Sequence, residues 1–449
     1  MTNLSDLWMA YANQLTEALG SGGFDPQNQQ LSIATNSLPL ALVGDNPAIS
    51  AYTVFQLGNT VPVQGPGYAP HDNLSDAYLT FLNSIAFQGQ VNPSDQKNLS
   101  RAAAKLTTAQ ANYQASLKGA LAAFKLTSLM NPSLSFANFT NSQYPAFGAA
   151  YNALLAAQVT YDQLMAQVYG SDYQEVSLAR QKAGAQGATC VSHQTSFNME
   201  AAVADPDSLS TSAGDELPGN EAASGGTQTS STLYVPAYSL DGFEAAYQSW
   251  INDSDSHTGV TIAFSGNSQT SSLQDLGWTS HSHSSSTHDW FIHVSETTNK
   301  KGSTQIVHDT YGSFGYEATF KGFGAFNISP TGWFDLSLID EYKDKLVENA
   351  PNLFGADGSL ARLPYQVIIG FQPKIELSFS QSDYHRFHQT FSETKTERMS
   401  IGPFDLGHKT IHEHSEKTAV TFNSAEGKVI IDPPAGVQPC LLGVISSKL

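Results

Sequence analysis

Histidine is the residue type in this chain with the most chemistry to offer: there are 13, and 11 of them follow residue 256. On a β-strand, residues two apart point to the same face. His281 and His283 would therefore share one face, and His408, His412 and His414 another. Two such strands side by side would present His281, His283, His412 and His414 to a Zn or Cu ion, with Asp289 or Glu413 as nearby carboxylates. That arrangement would suit a metalloenzyme, an oxidoreductase among others. The competing reading places the same imidazoles on a solvated face among Ser and Thr.

Other chemistries find less support. No G-x-S-x-G elbow, P-loop or G-x-G-x-x-G turn occurs, and Gly322-Phe-Gly324 lacks the third glycine and sits in strand-like sequence. In His412-Glu-His-Ser-Glu416 the second His comes two residues too soon for a zincin helix. Asp335, Asp340, Glu341 and Asp344 could pair carboxylates, yet they lack the glycine turn of a calcium loop and read as a solvated helix face. Cys190 and Cys440 are the only cysteines. They give no metal knuckle and no disulfide framework, and two unrelated free thiols are expected.

The elements that must position these residues divide the chain into an α+β architecture. Residues 1–184 read as helical, 185–231 as a Ser/Gly/Asp-rich linker, and 232–449 as a β-rich domain with two short helices. Ser5 can cap a helix carrying Leu7, Trp8, Tyr11, Leu15 and Leu19, stopped by Gly20. A Pro- and Gly-rich loop follows, and a second helix is expected over 74–87. Asn92-Pro93 starts a rod that runs to Met130, and a second rod covers about 145–183, with a break at Gly170-Ser171. Two rods joined by a short loop form a long antiparallel helical hairpin, a structural bundle or an oligomerisation stalk. Strands are expected at 233–235 and 260–264 around a helix near 241–251, and a short helix near 335–347.

Charge narrows the partners. The chain of 449 residues carries 40 acidic and 21 basic residues, a net charge of −19. Residues 1–96 and 183–299 contain no Lys or Arg and hold seven and thirteen acids. A nucleic-acid interface there is excluded, because phosphate contacts need clustered cations. The same stretches offer trypsin-like proteases no site. The N-terminus lacks the charged and apolar regions of a secretory signal, and no window has the apolar length of a transmembrane helix. These features predict a protein that is cytoplasmic as synthesised or exported without a leader.

Two long polar pairs of alternating character dominate the last third: 278–296 with 303–329, and 374–399 with 408–432. Strands longer than 15 residues, with Ser, Thr, His and Gly on their faces, resemble in composition the insertion hairpins of β-pore-forming toxins. Such hairpins stay soluble and later close into a barrel in which strand pairing satisfies every backbone group. The resemblance implies a non-enzymatic, membrane-active or defence protein that forms homo-oligomers and engages a membrane or cell-surface target through these hairpins, with no cofactor. The alternatives are the His-ligated Zn or Cu enzyme and a structural, self-assembling protein.

Overall fold

The computed structural model describes residues 6–20, 23–35, 38, 40–42, 47–62, 65–68, 70–87, 91–130, 139, 143–183, 190–195, 231–252, 260–265, 274–278, 291–295, 314–355, 357–393, 398–405, 419–432 and 438–449. The protein is α+β, as its sequence pattern predicts, and is organised by two long strands, β9 (Phe314–Pro330) and β10 (Arg362–Phe379). They pair antiparallel from Gln366↔Asn327 to Phe379↔Phe314. On its other side β10 takes two neighbours in succession. Residues 362–370 pair with β15 (Cys440–Lys448), and residues 375–378 with β14 (Lys428–Asp432). The change of neighbour falls at Gln372-Pro373. Gln372 adopts φ 44°, and Pro373 has no N–H to donate to a ladder.

The sheet continues outward from these strands. β1 (Gln29–Ile33) pairs with β15, and β13 (Ala419–Asn423) pairs with β14. β6 (Tyr238–Leu240) and β7 (Thr261–Ser265) pair with opposite ends of β9. Residues 367–371 of β10 are buried on both faces, the pattern of a central strand. Ile368 faces a core that includes Trp8, Tyr11 and Leu15 of α1 (Asp6–Ala18). Val367, Ile369 and Phe371 face a second core with Leu57 of α2 (Pro47–Asn59) and Phe243 and Trp250 of α7 (Phe243–Asn252). Residues 6–33 thus belong to the same core as the C-terminal sheet, although their local pattern reads with the helical part of the chain.

A third apolar cluster joins α3 (Leu74–Ser84), α6 (Ser171–Ala183) and α8 (Leu336–Tyr342) around Trp333. From this end of the molecule rises the helical hairpin, α4 (Pro93–Met130) and α5 (Pro145–Tyr169). At 38 residues, α4 is about 57 Å long. Gly170 (φ 70°) separates α5 from α6, so the second expected rod is two helices. The ends of the expected linker are also structured, since β4 (Cys190–Thr195) pairs with β5 (Ser231–Pro236). β2 (Thr60–Pro62) and β3 (Pro70–Asn73) complete a small ribbon.

Two expectations need correction. The long strands are not free polar faces: β9 and β10 pair with each other and line the core, because their alternating residues include Phe314, Tyr316, Phe320, Ile375, Leu377 and Phe379. Of the second expected pair, Ile375–Ser378 does meet Lys428–Ile431, and most of the first lies outside the described residues. The stretch 381–393 is not strand but helix, α9 (Gln381–Glu393). Ser380 and Asp383 close its first turn. The Asp383 N–H donates to Ser380 Oγ at 3.2 Å, and Ser380 Oγ donates to Asp383 Oδ2 at 3.0 Å. Tyr384 and Phe387, three apart, then turn into the core, a helical and not an alternating spacing.

Candidate functional site

The predicted metal ligands His281, His283, His412 and His414 lie outside the described residues, as do His408, Asp289 and Glu413. Their flanking strands are described. β8 (Ile292–Ser295) pairs antiparallel with β11 (Arg398–Ile401), which turns into β12 (Phe404–Asp405). This three-stranded piece joins strands that flank the two His-rich stretches of the sequence, with Ile292 and Phe404 both opposite Ile401. Among the described residues, no group of three or more His, Cys, Asp or Glu side chains is placed to hold a metal.

The remaining chemical candidates have structural roles. Gly322 lies beneath the indole of Trp250, where a Cβ would fall 2.2 Å from the ring, so it serves close packing of α7 on β9. Asp335 caps α8 by accepting from the Ser337 N–H at 3.0 Å. Asp340 and Glu341 pair on the exposed helix face with Lys343 and Lys345. Cys440 is a free, buried thiol that burial pushes up to about 12, far from a nucleophile's range.

The hairpin differs from all of these. Between Gln96 and Tyr161 the chain has five cations (Lys97, Arg101, Lys105, Lys118, Lys125) and no acid. Counting Asp95 and Asp162, which lie on α4 and α5 themselves, residues 93–169 carry a net +3 against −22 for the other 372 residues. Lys97, Arg101 and Lys105 recur every four residues, so they form one stripe along α4, and all three are exposed. None of the three makes an ion pair among the described residues. The sequence signal for this patch is the absence of Asp and Glu, which counting Lys and Arg alone does not reveal.

Local packing explains how the rod stands away from the body. Ala102, Ala109 and Ala120 are buried along α4 and let the two helices approach closely. Tyr113 packs on Phe147 (5.6 Å between ring centroids) and on Tyr151 (6.0 Å). Gly119 makes room for the Tyr144 hydroxyl, which would lie 2.5 Å from a Cβ there. At the base, Tyr173 of α6 is fully buried, packs against Phe87 and donates its hydroxyl to Asp162. Arg180 Nη2 donates to the Leu82 carbonyl at 2.6 Å and Nη1 donates to Tyr173 Oη at 3.3 Å, which ties α6 to α3. The acid just beyond the cationic stretch, Asp162, is therefore used as an internal acceptor.

Toward solvent the rod is apolar as well as cationic. Leu155 and Val159, one turn apart on α5, are 42% and 53% exposed. Among the described residues no helix is long and apolar enough to cross a membrane. The rod thus carries three exposed cations on α4 and two exposed apolar side chains on α5. No family model, curated protein or solved structure matches this chain, so the reading of its function rests on this geometry.

Proposed function

We propose that this is a membrane-active protein that engages anionic surfaces through the α4–α5 hairpin. The observation that carries the reading is the net +3 hairpin, with no acid between Gln96 and Tyr161, on a body of net −22. A molecule so polarised orients in the field of an anionic leaflet, hairpin first, because the body is repelled while the rod is attracted. Exposed Leu155 and Val159 add apolar contact once the rod lies at the interface. This keeps the membrane engagement that the sequence suggests but assigns it to the helical rod, since β9 and β10 are occupied in the core.

Co-sedimentation with vesicles tests it. Binding is expected to phosphatidylserine-containing vesicles and not to pure phosphatidylcholine, and to weaken with salt as exposed charges are screened. At about 1 kcal/mol per cation near an anionic surface, Lys97→Glu, Arg101→Glu and Lys105→Glu together should weaken binding by at least about 100-fold. Equal binding to both lipids, or an unchanged affinity in the triple variant, would overturn the proposal. So would self-association through the rod with no vesicle binding, which would make a second copy the partner.

A further inference from the structure

Arg362, the first residue of β10, is the one charged side chain buried among the described residues, at 2% exposure. Its Nη2 donates to the Pro62 carbonyl at 3.1 Å, and its guanidinium carbon stands 5.2 Å from the centre of the Trp278 ring. Its Nε has no partner, and among the described residues no carboxylate forms an ion pair with it. Burial pushes its pKa down, and the charge of Asp357 offsets this only in part. A buried cation with no ion-pair partner is among the costlier arrangements a fold can hold.

The strand register shows what surrounds it. Gln30 of β1 lies opposite Ser446 of β15, which lies opposite Pro364 of β10. Directly paired residues share a face, and Arg362 shares it too, two residues before Pro364. Trp278 belongs to a segment on the far edge of β1: the Leu31 N–H donates to the Leu276 carbonyl at 3.0 Å, and Trp278 Nε1 donates to the Leu31 carbonyl at 2.8 Å. Arg362 itself lies opposite Lys448 of β15, and the next residues of the same face on β15 and β1 are Ser446 and Gln30. Both are buried, and Ser446 Oγ and Gln30 Oε1 have no hydrogen-bond partner.

Three polar side chains, each with an unpartnered atom, thus lie on one buried face, and one of them carries a positive charge with no ion-pair partner among the described residues. We propose that Arg362, Ser446 and Gln30 hold a small monovalent anion of the chloride type inside the fold. The Arg362 Nε–H and the Ser446 hydroxyl would donate to it, and the Gln30 amide, turned over, would donate its Nε2. A water molecule would complete the hydrogen bonds but leave the charge unanswered. Arg362 and Ser446 are diagonal neighbours on adjacent strands, about 7–8 Å apart, a span that a long side chain bridges.

Bromide is the probe. Crystals grown in sodium bromide should show an anomalous peak beside Arg362 Nε. In solution, the Tm of the whole protein should rise saturably with sodium chloride relative to sodium gluconate of equal ionic strength, as for any ligand that binds only the folded state. Ser446→Ala and Gln30→Leu, which keep the guanidinium, should lower the apparent chloride affinity at least 10-fold. They keep the test informative should Arg362→Met fail to fold. A water-like density with no anomalous signal, or the same chloride response in the wild type and both variants, would overturn the proposal.

Discussion

Along β9, Phe314, Tyr316, Ala318 and Phe320 are all buried, whereas along α5 Met165 is the buried side chain among the described residues. Both elements are long and regular, and both carry large apolar residues. In the sheet those residues share a core with α1 and α9, and α2 with α7 covers the opposite face. In the rod they meet one partner helix, and the outward faces stay wet. The same apolar content therefore does different work: it stabilises the sheet, and it leaves the rod an adhesive surface anchored at its base by Tyr173 and Arg180.

This contrast can be broken most directly in the core. Phe320 packs on Phe323 and Phe404, and Phe320→Ala should cost about 3–5 kcal/mol in urea unfolding. Should it cost no more than Leu155→Ala on the rod, the sheet is not the stabilising region. A smaller effect comes from alkaline pH. Burial pushes the Tyr68 phenol up to about 12 and those of Tyr11 and Tyr316 well above their ordinary 10.0. Phenols raised in the folded state give stability that is complete below pH 10 and lost as pH climbs through the folded values, because the unfolded chain releases its protons first. Tyr68 alone should account for on the order of 2 kcal/mol between pH 10 and 12, read as phenolate absorbance that appears together with loss of structure. The smallest effect sharpens the contrast from the other side. Leu155→Ser with Val159→Ser should change stability by no more than about 0.5 kcal/mol, yet weaken binding to anionic vesicles. A large loss of stability would show that these side chains pack and are not a free surface.

Much of the helical part is readable from local signals. Asn92-Pro93 starts α4, Gly170 ends α5, and the spacing of Tyr78, Phe81 and Leu82 marks α3, because a helix is decided by residues three and four apart. The helix α9 was also legible in principle: Ser380-Gln-Ser-Asp383 is a capping box, hidden within a polar stretch whose flanks alternate. α2 is less visible, since it follows a Pro- and Gly-rich stretch and its apolar residues are scattered. Apart from the pairing of Ile375–Ser378 with Lys428–Ile431, the strand partners were not legible. β1 pairs with β15 across more than 400 residues, and β10 exchanges β15 for β14 at Gln372, neither of which leaves a local mark.

The sequence by itself determined the α+β class, the two long helices, the break at Gly170 and the separation of charge between an acid-free stretch and an acidic remainder. Each of these follows from residue type and short-range spacing. Only the tertiary structure decided that β9 and β10 are core strands and not exposed hairpins. It alone brought Gln30, Arg362 and Ser446 to one buried face, and it alone lifted the cationic stretch away from the body as a rod. Those outcomes depend on which distant surfaces cover one another, since an alternating strand buries its apolar face only where a partner exists to cover it.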